Sequence, residues 1–589
     1  MFRFFISIMK RFVSLFLSFA AVFGFALMIG DSGWAFRNSG SVLYGVLFFV
    51  LAYGTDHIVK TSNRRLKIFA AVPAGILSLC HLLGSVLVKK ETALWLVKDL
   101  HTASLGLLHF FAYGFILFIF IFYLYLFSQK GTDHQKDRTG KLSFFMIWIV
   151  FILVWLPWML NQFPAVMTAD STDQIEMALD AELLTDHHPV FYTWLIKAVL
   201  TVSSNLFPGA DHANQTGVSI FITIQFLLMT AAFAVFASLV IKRSLPDLVK
   251  IGILLFLLFY PVHPLYSVTM WKDVPFAVVL FVLMLLLICE KEQHKTGYII
   301  GIAVSGILLA LLRHNGIYLL LISFPFIPIA FKSKQMPVFA AFLAAILVYF
   351  CWRMLLLPAL QIPKGEPSEA FSIPLQQIVL SAKRHRSAAP EEQMEKLDSW
   401  FSVEEIEKRY TYQLSDPVKI VFDNERYMSD PGNFWKLWLE LGAAYPQDYL
   451  DALLLHTFGY WYPETPHWVF VTGIDDDGLF GIHMDPKLDN SLTRSVSEWL
   501  TGAGYDDLPL FSLLFSPGFC FWVYVVLFFY SLYRKSPAVF FYIPLIALWL
   551  TALASPINCE FRYIYGLFIC LPLICFAVFT EKSSEETAA

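Results

Sequence analysis

The sequence predicts an all-α polytopic membrane protein, a bundle of about 14 spans with a small helical domain outside the bilayer. Hydrophobic residues make up 57% of the 589 residues and charged residues only 15%, whereas a soluble domain is about 25% charged. The mean hydropathy of +0.62 agrees with this composition. The 42 Lys and Arg residues against 46 Asp and Glu residues leave a net charge of −4, which offers no basic surface to a nucleic acid. The composition therefore excludes a soluble enzyme, a disordered protein and a nucleic-acid binder.

Fourteen apolar runs, each bounded by polar residues or by Gly and Pro, supply the predicted spans. In chain order they lie at 11–29, 41–54, 66–88, 103–127, 142–160, 215–241, 248–262, 273–289, 297–312, 316–331, 337–357, 511–533, 538–554 and 562–580. The first run follows basic residues, as in a signal peptide, but no small-residue cleavage site comes after it, so we predict a membrane helix there. Some runs are short enough for a tilted or re-entrant segment.

The positions of Lys and Arg predict the orientation, because loops rich in these residues stay in the cytoplasm. Basic clusters recur at every second loop, at Arg3, Lys10 and Arg11, Lys60 to Lys67, Lys130 to Lys141, Lys242 to Lys250, Lys291 and Lys295, Lys332 and Lys334, and Arg534 and Lys535. The alternation requires that residues 189–206, with Lys197 in the middle, form an interfacial helix rather than a crossing. Both termini are then cytoplasmic, and Lys89, Lys90 and Lys98 are the exceptions that face outward.

The spans and the two long outer segments predict four regions. These are residues 1–140, with four accessory N-terminal spans; 141–357, a membrane core with the catalytic outer loop 161–214; 358–510, an extracytoplasmic domain; and 511–589, the C-terminal spans and a cytoplasmic tail. An amphipathic pattern in the extracytoplasmic domain predicts a helix near 434–455.

Ionisable and polar residues collect at the outer ends of four spans that lie far apart in the sequence. They are Asp170, Asp173, His187 and His188 in the first outer loop, then Lys272 and Asp273, then Arg313, His314 and Asn315, and finally Arg562 and Tyr563. Taken singly, each has a structural explanation: the two Asp residues could cap a helix, and a cation can extend to the headgroups. The set as a whole favours a functional site, because the span interiors are nearly free of charge while these ends are rich in it.

The residue types in this set suit group transfer from a lipid-linked phosphate. A partly desolvated carboxylate in an outer loop can act as a general base on a hydroxyl or an amine. Lys272, Arg313 and Arg562 suit a phosphate at headgroup depth, since Arg offers a bidentate fork and Lys a compact charge. The displaced group would be the lipid phosphate, and the cations would stabilise its developing charge.

Seven fragments of the chain resemble the GT-C class of membrane glycosyltransferases and, more narrowly, a bacterial, largely uncharacterised polytopic family of that type. The fragments are MTADSTDQ (167–174), HHPVFYTWLI (187–196), MWKDVPFA (270–277), LRHNGIYLL (312–320), IPLQQIV (373–379), YWYPE (460–464) and NCEFRY (558–563). The fragments are moderately specific as a set and weak singly. The resemblance covers about residues 140–580, and the first four spans look like an addition.

The resemblance implies a GT-C-like bundle that transfers a sugar, with inversion, from a polyprenyl-phosphate donor to a glycan, lipid or protein acceptor outside the cell membrane. It implies an acidic base in the first outer loop of the core; Asp170 matches that position, and Asp173 is the alternative. The residues expected to line the donor phosphate and sugar pocket are Asp173, His187, His188, Lys272, Asp273, Arg313, His314, Asn315, Arg562 and Tyr563. Some GT-C branches hold a divalent cation with several carboxylates. The outer acids here are Asp170, Asp173, Asp273 and Glu560, so a cation is possible, but no motif indicates it.

Two other functions compete with this interpretation. A flippase or transporter of a lipid-linked substrate would place ionisable residues near the bilayer midplane, on broken helices. A membrane acyltransferase would also use a membrane His and a polar substrate. The charges at one membrane face disfavour transport, and loop acids paired with several cations suit a phosphate-linked donor better than an acyl donor.

Overall fold

The computed structural model describes residues 2–29, 38–130, 143–208, 212–331, 335–385, 391–465, 467–489, 491–508 and 510–580. Within these residues the regular secondary structure is helical throughout, and the only strand-like features are isolated β-bridges. The predicted all-α class is therefore confirmed for this part of the chain. The predicted cytoplasmic tail and most of the basic cluster from Lys130 to Lys141 lie outside the described residues, as do Lys332 and Lys334.

The N-terminal region contains four long helices: α1 (Phe2–Ile29), α2 (Asn38–Lys60), α3 (Arg64–Lys90) and α4 (Leu100–Lys130). Helix α3 packs along α4, and α1 packs against both α2 and α4. The Ser78 hydroxyl donates to the Phe110 carbonyl at 2.7 Å, so α3 and α4 lie in close contact near their middles.

The membrane core follows as a series of longer helices interrupted by short ones. Its helices are α5 (Phe144–Asn161), α6 (Ala169–Leu179), α7 (Val190–Leu206), α8 (Ala213–Lys242), α9 (Asp247–Phe259), α10 (Val262–Ser267), α11 (Asp273–Gln293), α12 (Thr296–Leu312), α13 (Gly316–Ser323), α14 (Ile327–Phe331), α15 (Gln335–Cys351) and α16 (Leu357–Ala359), with a π turn at Trp352–Leu356.

The remaining helices form the 358–510 segment and the C-terminal spans. They are α17 (Ser372–His385), α18 (Glu391–Asp398), α19 (Val403–Arg409), α20 (Asp416–Lys419), α21 (Asn424–Ser429), α22 (Pro431–Ala444), α23 (Pro446–Thr457), α24 (Ser491–Thr501), α25 (Pro517–Tyr533), α26 (Tyr542–Leu553) and α27 (Phe561–Thr580). Across all four regions, short 3₁₀ turns lie at Ala93–Val97, Ala181–Leu183, Phe324–Phe326, Pro367–Ala370, Phe458–Tyr460, Leu479–Gly481, Gly504–Asp507, Ser512–Phe515 and Pro537–Phe541.

Seven helices in the described residues are long and apolar enough to cross a membrane. They are Arg64–Lys90, Leu100–Gln129, Phe144–Asn161, Ala213–Lys242, Asp273–Gln293, Met336–Ala359 and Phe561–Thr580. Six shorter apolar helices accompany them, including Val190–Leu206, which we predicted to be interfacial. The helical membrane character is confirmed in this sense, and the count of fourteen spans stays a prediction.

Proline explains where the helices depart from the predicted runs. The single helix predicted near 434–455 is two helices, because Pro446 begins α23 and the preceding Tyr445 is not helical. The predicted span 248–262 is likewise divided, since α9 ends at Phe259 and Pro261 precedes α10. A 3₁₀ turn at Phe324–Phe326 interrupts the run at 316–331 in the same way.

Helices α11 and α27 form the centre of the bundle. In each, 72% of the most apolar window is buried, compared with 22% for α4 and α5. The two helices pack against each other, and Gly566 of α27 favours the close approach, because a Cβ there would lie 3.1 Å from a methyl group of Leu280 in α11. The N-terminal ends of these two central helices therefore have fixed relative positions.

Basic residues from separate loops gather at one end of the bundle. Arg65 donates to the Leu532 carbonyl at 3.2 Å, Arg534 to the Val578 carbonyl at 3.1 Å, and Lys291 to the Pro537 carbonyl at 2.9 Å. Arg243 at the end of α8 pairs with Glu292 at the end of α11. The opposite ends of α11 and α27 carry Asp273 and Arg562, so the basic loops and the candidate site lie at opposite ends of the helices.

Candidate functional site

Backbone pairing holds the first outer loop in place beside two other segments. Residues 166–167 form hydrogen bonds of 2.9–3.0 Å with 268–270 on one side and with 473–475 on the other. These bonds satisfy polar backbone groups that would otherwise be buried without partners. The loop that leads into α6 therefore lies next to the segment that leads into α11.

Side-chain hydrogen bonds then fix the start of α6. The indole Nε1 of Trp271 donates to the Thr168 hydroxyl at 2.7 Å, and the Ser171 hydroxyl donates to the Met270 carbonyl at 2.8 Å. Thr168 is the N-cap residue of this helix, and Asp170 lies in its first turn. The Asp170 carboxylate is thus not the cap of α6, and it bonds to groups from other parts of the chain.

Asp170 lies between two cations. Arg562 Nη1 donates to its Oδ2 at 2.6 Å, and Lys272 Nζ is 3.8 Å from the same oxygen. Burial by itself raises the pKa of the Asp170 carboxyl, but Lys272 and Arg562 outweigh it and hold the pKa below its usual range. Asp170 is therefore ionised at neutral pH, and its side chain keeps 32% exposure to solvent.

Lys272 also contacts His188. Its Nζ lies 2.8 Å from His188 Nδ1, and burial lowers the pKa of the Lys272 ammonium. Burial, assisted by the Lys272 charge, lowers the pKa of His188 to about 3, so the ring is neutral and can accept the bond. His187 is exposed and packs edge-to-face on His188, with the ring centroids 4.7 Å apart.

Asp273 and Arg313 form a buried ion pair next to these groups. Arg313 Nη1 is 2.7 Å from Asp273 Oδ1, and the two side chains are 12% and 2% exposed, respectively. The Arg313 guanidinium lies over the Tyr563 ring, 4.7 Å from its centroid. Next along the chain, Asn315 Nδ2 donates to the Thr551 hydroxyl at 3.1 Å. Burial lowers the pKa of His314 to about 4.

Arg562 is enclosed by aromatic rings and by a second carboxyl. Its guanidinium lies 5.1 Å from the Trp271 ring centroid and 5.2 Å from that of Tyr563. Its Nε is 3.4 Å from Glu560 Oε1, and the Glu560 side chain is only 1% exposed. Burial raises the pKa of Glu560 to about 7, although the Arg562 charge opposes this shift. Arg562 therefore lies between one ionised carboxylate and one that titrates near neutral pH.

These groups surround a cavity of about 460 Å³. Nine of the eleven predicted site residues line it, namely Asp170, His187, His188, Lys272, Arg313, His314, Asn315, Arg562 and Tyr563. Asp273 lies behind Arg313 instead. The Asp173 side chain is largely exposed and lies 3.9 Å from His188. Partial desolvation, together with the Asp170 charge, raises the pKa of Asp173. The four outer ends therefore meet in space, and Asp173 lies beside the cavity.

The 358–510 segment supplies a wall that sequence reasoning missed. Lys419 in α20 is 4% exposed, and its Nζ is 3.0 Å from Glu369 and 3.1 Å from Asp416. All three line the cavity together with Glu366. The Ser415 N–H donates to the Pro556 carbonyl at 2.8 Å and so attaches this wall to the loop before α27, a contact that no spacing in the segment predicts.

Sequence reasoning also missed Asp186 and Arg353, which form an ion pair next to the cavity. Asp186 is also 3.9 Å from His314. Arg353 gave a usable signal, because it is a lone charge inside the predicted span 337–357. Glu560 was identified only as an outer acid, and its burial could not be read from the sequence.

Metal binding finds no ready ligand set here. Across the described ranges, no three His, Cys, Asp or Glu side chains converge as the ligands of an ion would. The outer acids are separated by cations, with Arg562 between Asp170 and Glu560 and Arg313 against Asp273.

Comparison with known proteins gives one match. A sequence model described as "Family of unknown function (DUF6020)" matches residues 178–589. The matched region includes His188, Lys272, Arg313 and Arg562, and it begins after Asp170 and Asp173. No curated protein matches the chain, and no solved structure does.

Proposed function

The chain belongs to the family of unknown function DUF6020. We propose that the cavity around Asp170 is the active site of a membrane glycosyltransferase of the GT-C type. The proposed donor is a sugar on a polyprenyl phosphate, and the acceptor is a glycan, lipid or protein outside the cytoplasm. The description of the matching family names no activity. The proposal is therefore supported by the chemistry of the cavity and by the sequence resemblance.

One observation carries the proposal: an ionised carboxylate and three cations share the wall of one cavity. Asp170 is held by Arg562 and Lys272, and Arg313 lies on the same wall. Two guanidinium groups and one ammonium group can bind the negatively charged phosphate of the donor. The carboxylate, about a third exposed at the cavity, is placed to meet a second substrate.

The cations and Asp170 would act in sequence. When the donor phosphate takes up the charge of Arg562 and Lys272, the Asp170 carboxylate loses the interactions that lower its pKa. Its pKa then rises towards its ordinary value, and it becomes a better base. The apo arrangement thus keeps the base inactive until the donor is bound.

The transfer step is then a single displacement. The acceptor oxygen forms a bond to the anomeric carbon, and the bond from that carbon to the phosphate oxygen breaks. The acceptor proton moves to Asp170, and the bonding electron pair leaves with the phosphate. Arg562, Lys272 and Arg313 stabilise the charge that develops on the leaving phosphate.

Asp170→Asn tests the proposal, with Asp173→Asn as the matched control on the same helix. Both variants are assayed in vesicles with a panel of polyprenyl-phosphate sugars. We expect Asp170→Asn to lose about 100-fold or more in transfer rate, as for loss of a general base, and Asp173→Asn to retain most of it. Membrane insertion should be unchanged in both.

Full transfer activity in Asp170→Asn would contradict the assigned base. Movement of the labelled lipid across the vesicle with no change in its chemistry would support a flippase instead, and transfer from an acyl donor would support an acyltransferase.

A further inference from the structure

A second cavity, of about 680 Å³, lies between the N-terminal helices and the segment Tyr460–Glu464. It shares no lining residue with the candidate catalytic cavity. Its walls come from α1, α3, α4 and the turn between α3 and α4. Most of these walls fall in residues 1–140, before the family match begins. Its volume is within the range of small-molecule and cofactor sites, about 300–1,000 Å³.

The inner part of this cavity contains a hydrogen-bonded polar cluster. His81 Nδ1 is 2.9 Å from His109 Nε2, and His81 Nε2 is 3.5 Å from Glu464 Oε1. The Tyr462 hydroxyl donates to Glu464 Oε2 at 2.8 Å. His81 and His109 lie on helices long and apolar enough to cross a membrane. Ionisable groups in such helices are expensive to bury and indicate a function.

The rim of the cavity carries two lysines at the end of α3. Lys89 and Lys90 both line it, and Lys90 Nζ lies 5.4 Å from the Trp95 ring centroid. These lysines are the exceptions to the basic-loop pattern, since α3 has its other basic residues at its opposite end. The orientation predicted from the basic loops places Lys89 and Lys90 on the outer side of the membrane, where Lys and Arg are disfavoured. Binding of an anionic ligand would explain why two lysines are found there.

The remaining wall is apolar and open to the surface of the bundle. Leu82 and Val86 on α3 are buried, and Leu105 on α4 is 40% exposed. A ligand held here would place a polar group at the lysines and an apolar group against Leu82, Val86 and Leu105.

We propose that this cavity binds the phosphate-bearing headgroup of an anionic membrane lipid. The phosphate would be held by the two lysine ammonium groups, with its acyl chains leaving past the apolar wall of Leu82, Val86 and Leu105. Lys89 and Lys90 bring two positive charges to the lining and Glu464 one negative charge, so its Lys, Arg, Asp and Glu residues leave a net positive charge. The headgroup site gives the N-terminal helices a role that is independent of the proposed sugar transfer.

Native mass spectrometry of the full chain in detergent tests this proposal. The probes are dioleoyl phosphatidylglycerol, dioleoyl phosphatidylcholine and inorganic phosphate. We expect the wild-type chain to retain one phosphatidylglycerol per chain where phosphatidylcholine is lost. Lys89→Gln with Lys90→Gln should weaken phosphatidylglycerol binding about 30-fold, since about 1 kcal/mol per basic residue is about 2 kcal/mol for the pair.

The matched control is Lys98→Gln with Lys436→Gln, which removes two charges outside the cavity and should leave the occupancy unchanged. Ser85→Trp fills the cavity without changing charge, and it should also lower the occupancy. Equal occupancy in the wild type and in both cavity variants would overturn the proposal. Displacement of the lipid by millimolar inorganic phosphate would identify a soluble anion as the occupant and overturn the lipid assignment.

Discussion

At the scale of single residues, Arg562 organises the charges of the candidate site. It contacts the ionised Asp170 on one side and the buried Glu560 on the other, and two aromatic rings cover it. A guanidinium suits this position better than an ammonium, because it forms bonds in several directions within a plane and stacks on aromatic faces. Its removal would leave two carboxyls close together without a shared partner.

Glu560 gives a prediction about pH. Burial raises the pKa of Glu560 to about 7 from an ordinary 4.5, so between these values the folded chain holds a proton that the unfolded chain has released. The stability from this proton is full at acidic pH and is lost as pH rises through about 7. We expect the melting temperature of the wild type minus that of Glu560→Gln to fall between about pH 5 and about pH 8, because the free energy of unfolding of the wild type changes by at most about 1.4 kcal/mol per pH unit for this one proton.

The comparison with Glu560→Gln is needed because two histidines act in the opposite sense. Burial lowers the pKa of His188 to about 3 and that of His314 to about 4, so their contribution to stability is lost as pH falls. Both are present in the two proteins and cancel in the difference. A difference in melting temperature that stays constant over this pH range would show that the Glu560 carboxyl is not protonated in the folded chain.

At the scale of elements, the position of Asp170 depends on how the start of α6 is attached to the start of α11. The hydrogen bond from Trp271 Nε1 to the Thr168 hydroxyl joins the two starts, and the same indole lies against Arg562. The cap, the base and the cation are thus connected through one side chain.

Thr168→Val should therefore impair activity through the position of Asp170. Valine keeps the shape of threonine but leaves the indole N–H unpaired, at a cost of about 1–3 kcal/mol. We expect kcat for sugar transfer to fall about tenfold or more, with a smaller change in KM for the donor. Thr168→Ser keeps the hydroxyl and serves as the control; an equal loss in Thr168→Ser would contradict the role assigned to the hydrogen bond.

Helix α3 provides a second prediction at this scale. Gly84 lies directly beneath Tyr462, and a Cβ there would lie 2.2 Å from Cγ of that ring. Gly84→Ala should lower the stability by about 1–3 kcal/mol, because the ring and the helix backbone must separate. Thermal unfolding in detergent measures the effect.

Gly75→Ala on the same helix is the matched control, since no heavy atom lies within 4 Å of a Cβ at that position. It should be neutral or slightly stabilising, because alanine favours a helix. Equal destabilisation by both substitutions would mean that α3 and Tyr462 do not pack as described.

At the scale of the whole molecule, the charges are sorted between two ends of a helical bundle. Basic residues from four loops, Arg65, Arg243, Lys291 and Arg534, lie at one end of the bundle and contact the ends of neighbouring helices there. The candidate site lies at the other end. Since Lys and Arg are retained in the cytoplasm, we propose that the candidate site is extracytoplasmic.

Cysteine labelling tests this orientation with exposed positions. Glu182→Cys and Ile420→Cys lie at the end of the candidate site, and Lys60→Cys lies at the basic end. An impermeant maleimide should label the first two in intact cells and Lys60→Cys only after permeabilisation. Labelling of Glu182→Cys or Ile420→Cys only after permeabilisation would overturn the orientation.

Much of the site could be predicted from the sequence, because charge is scarce in this chain. In an apolar background, His188, Lys272, Arg313 and Arg562 stand out at the ends of separate runs. Lys419 could not be predicted in this way, because its segment is rich in charge and only the packing of that segment brings Lys419 to the cavity. Pro446 is a signal for a helix break, but the amphipathic pattern continues on both sides of it and predicts a single helix.

The amino-acid sequence is enough to predict the helical membrane class, the helical runs and the residue types at their ends. These follow from local composition, since apolar residues, prolines and charges act over one or two helical turns. The tertiary structure adds that Asp170 lies between Lys272 and Arg562, that Glu560 is buried, and that Tyr462 and the N-terminal helices line a second cavity. Contacts between residues hundreds of positions apart depend on how helices pack, and local composition carries no information about the partner.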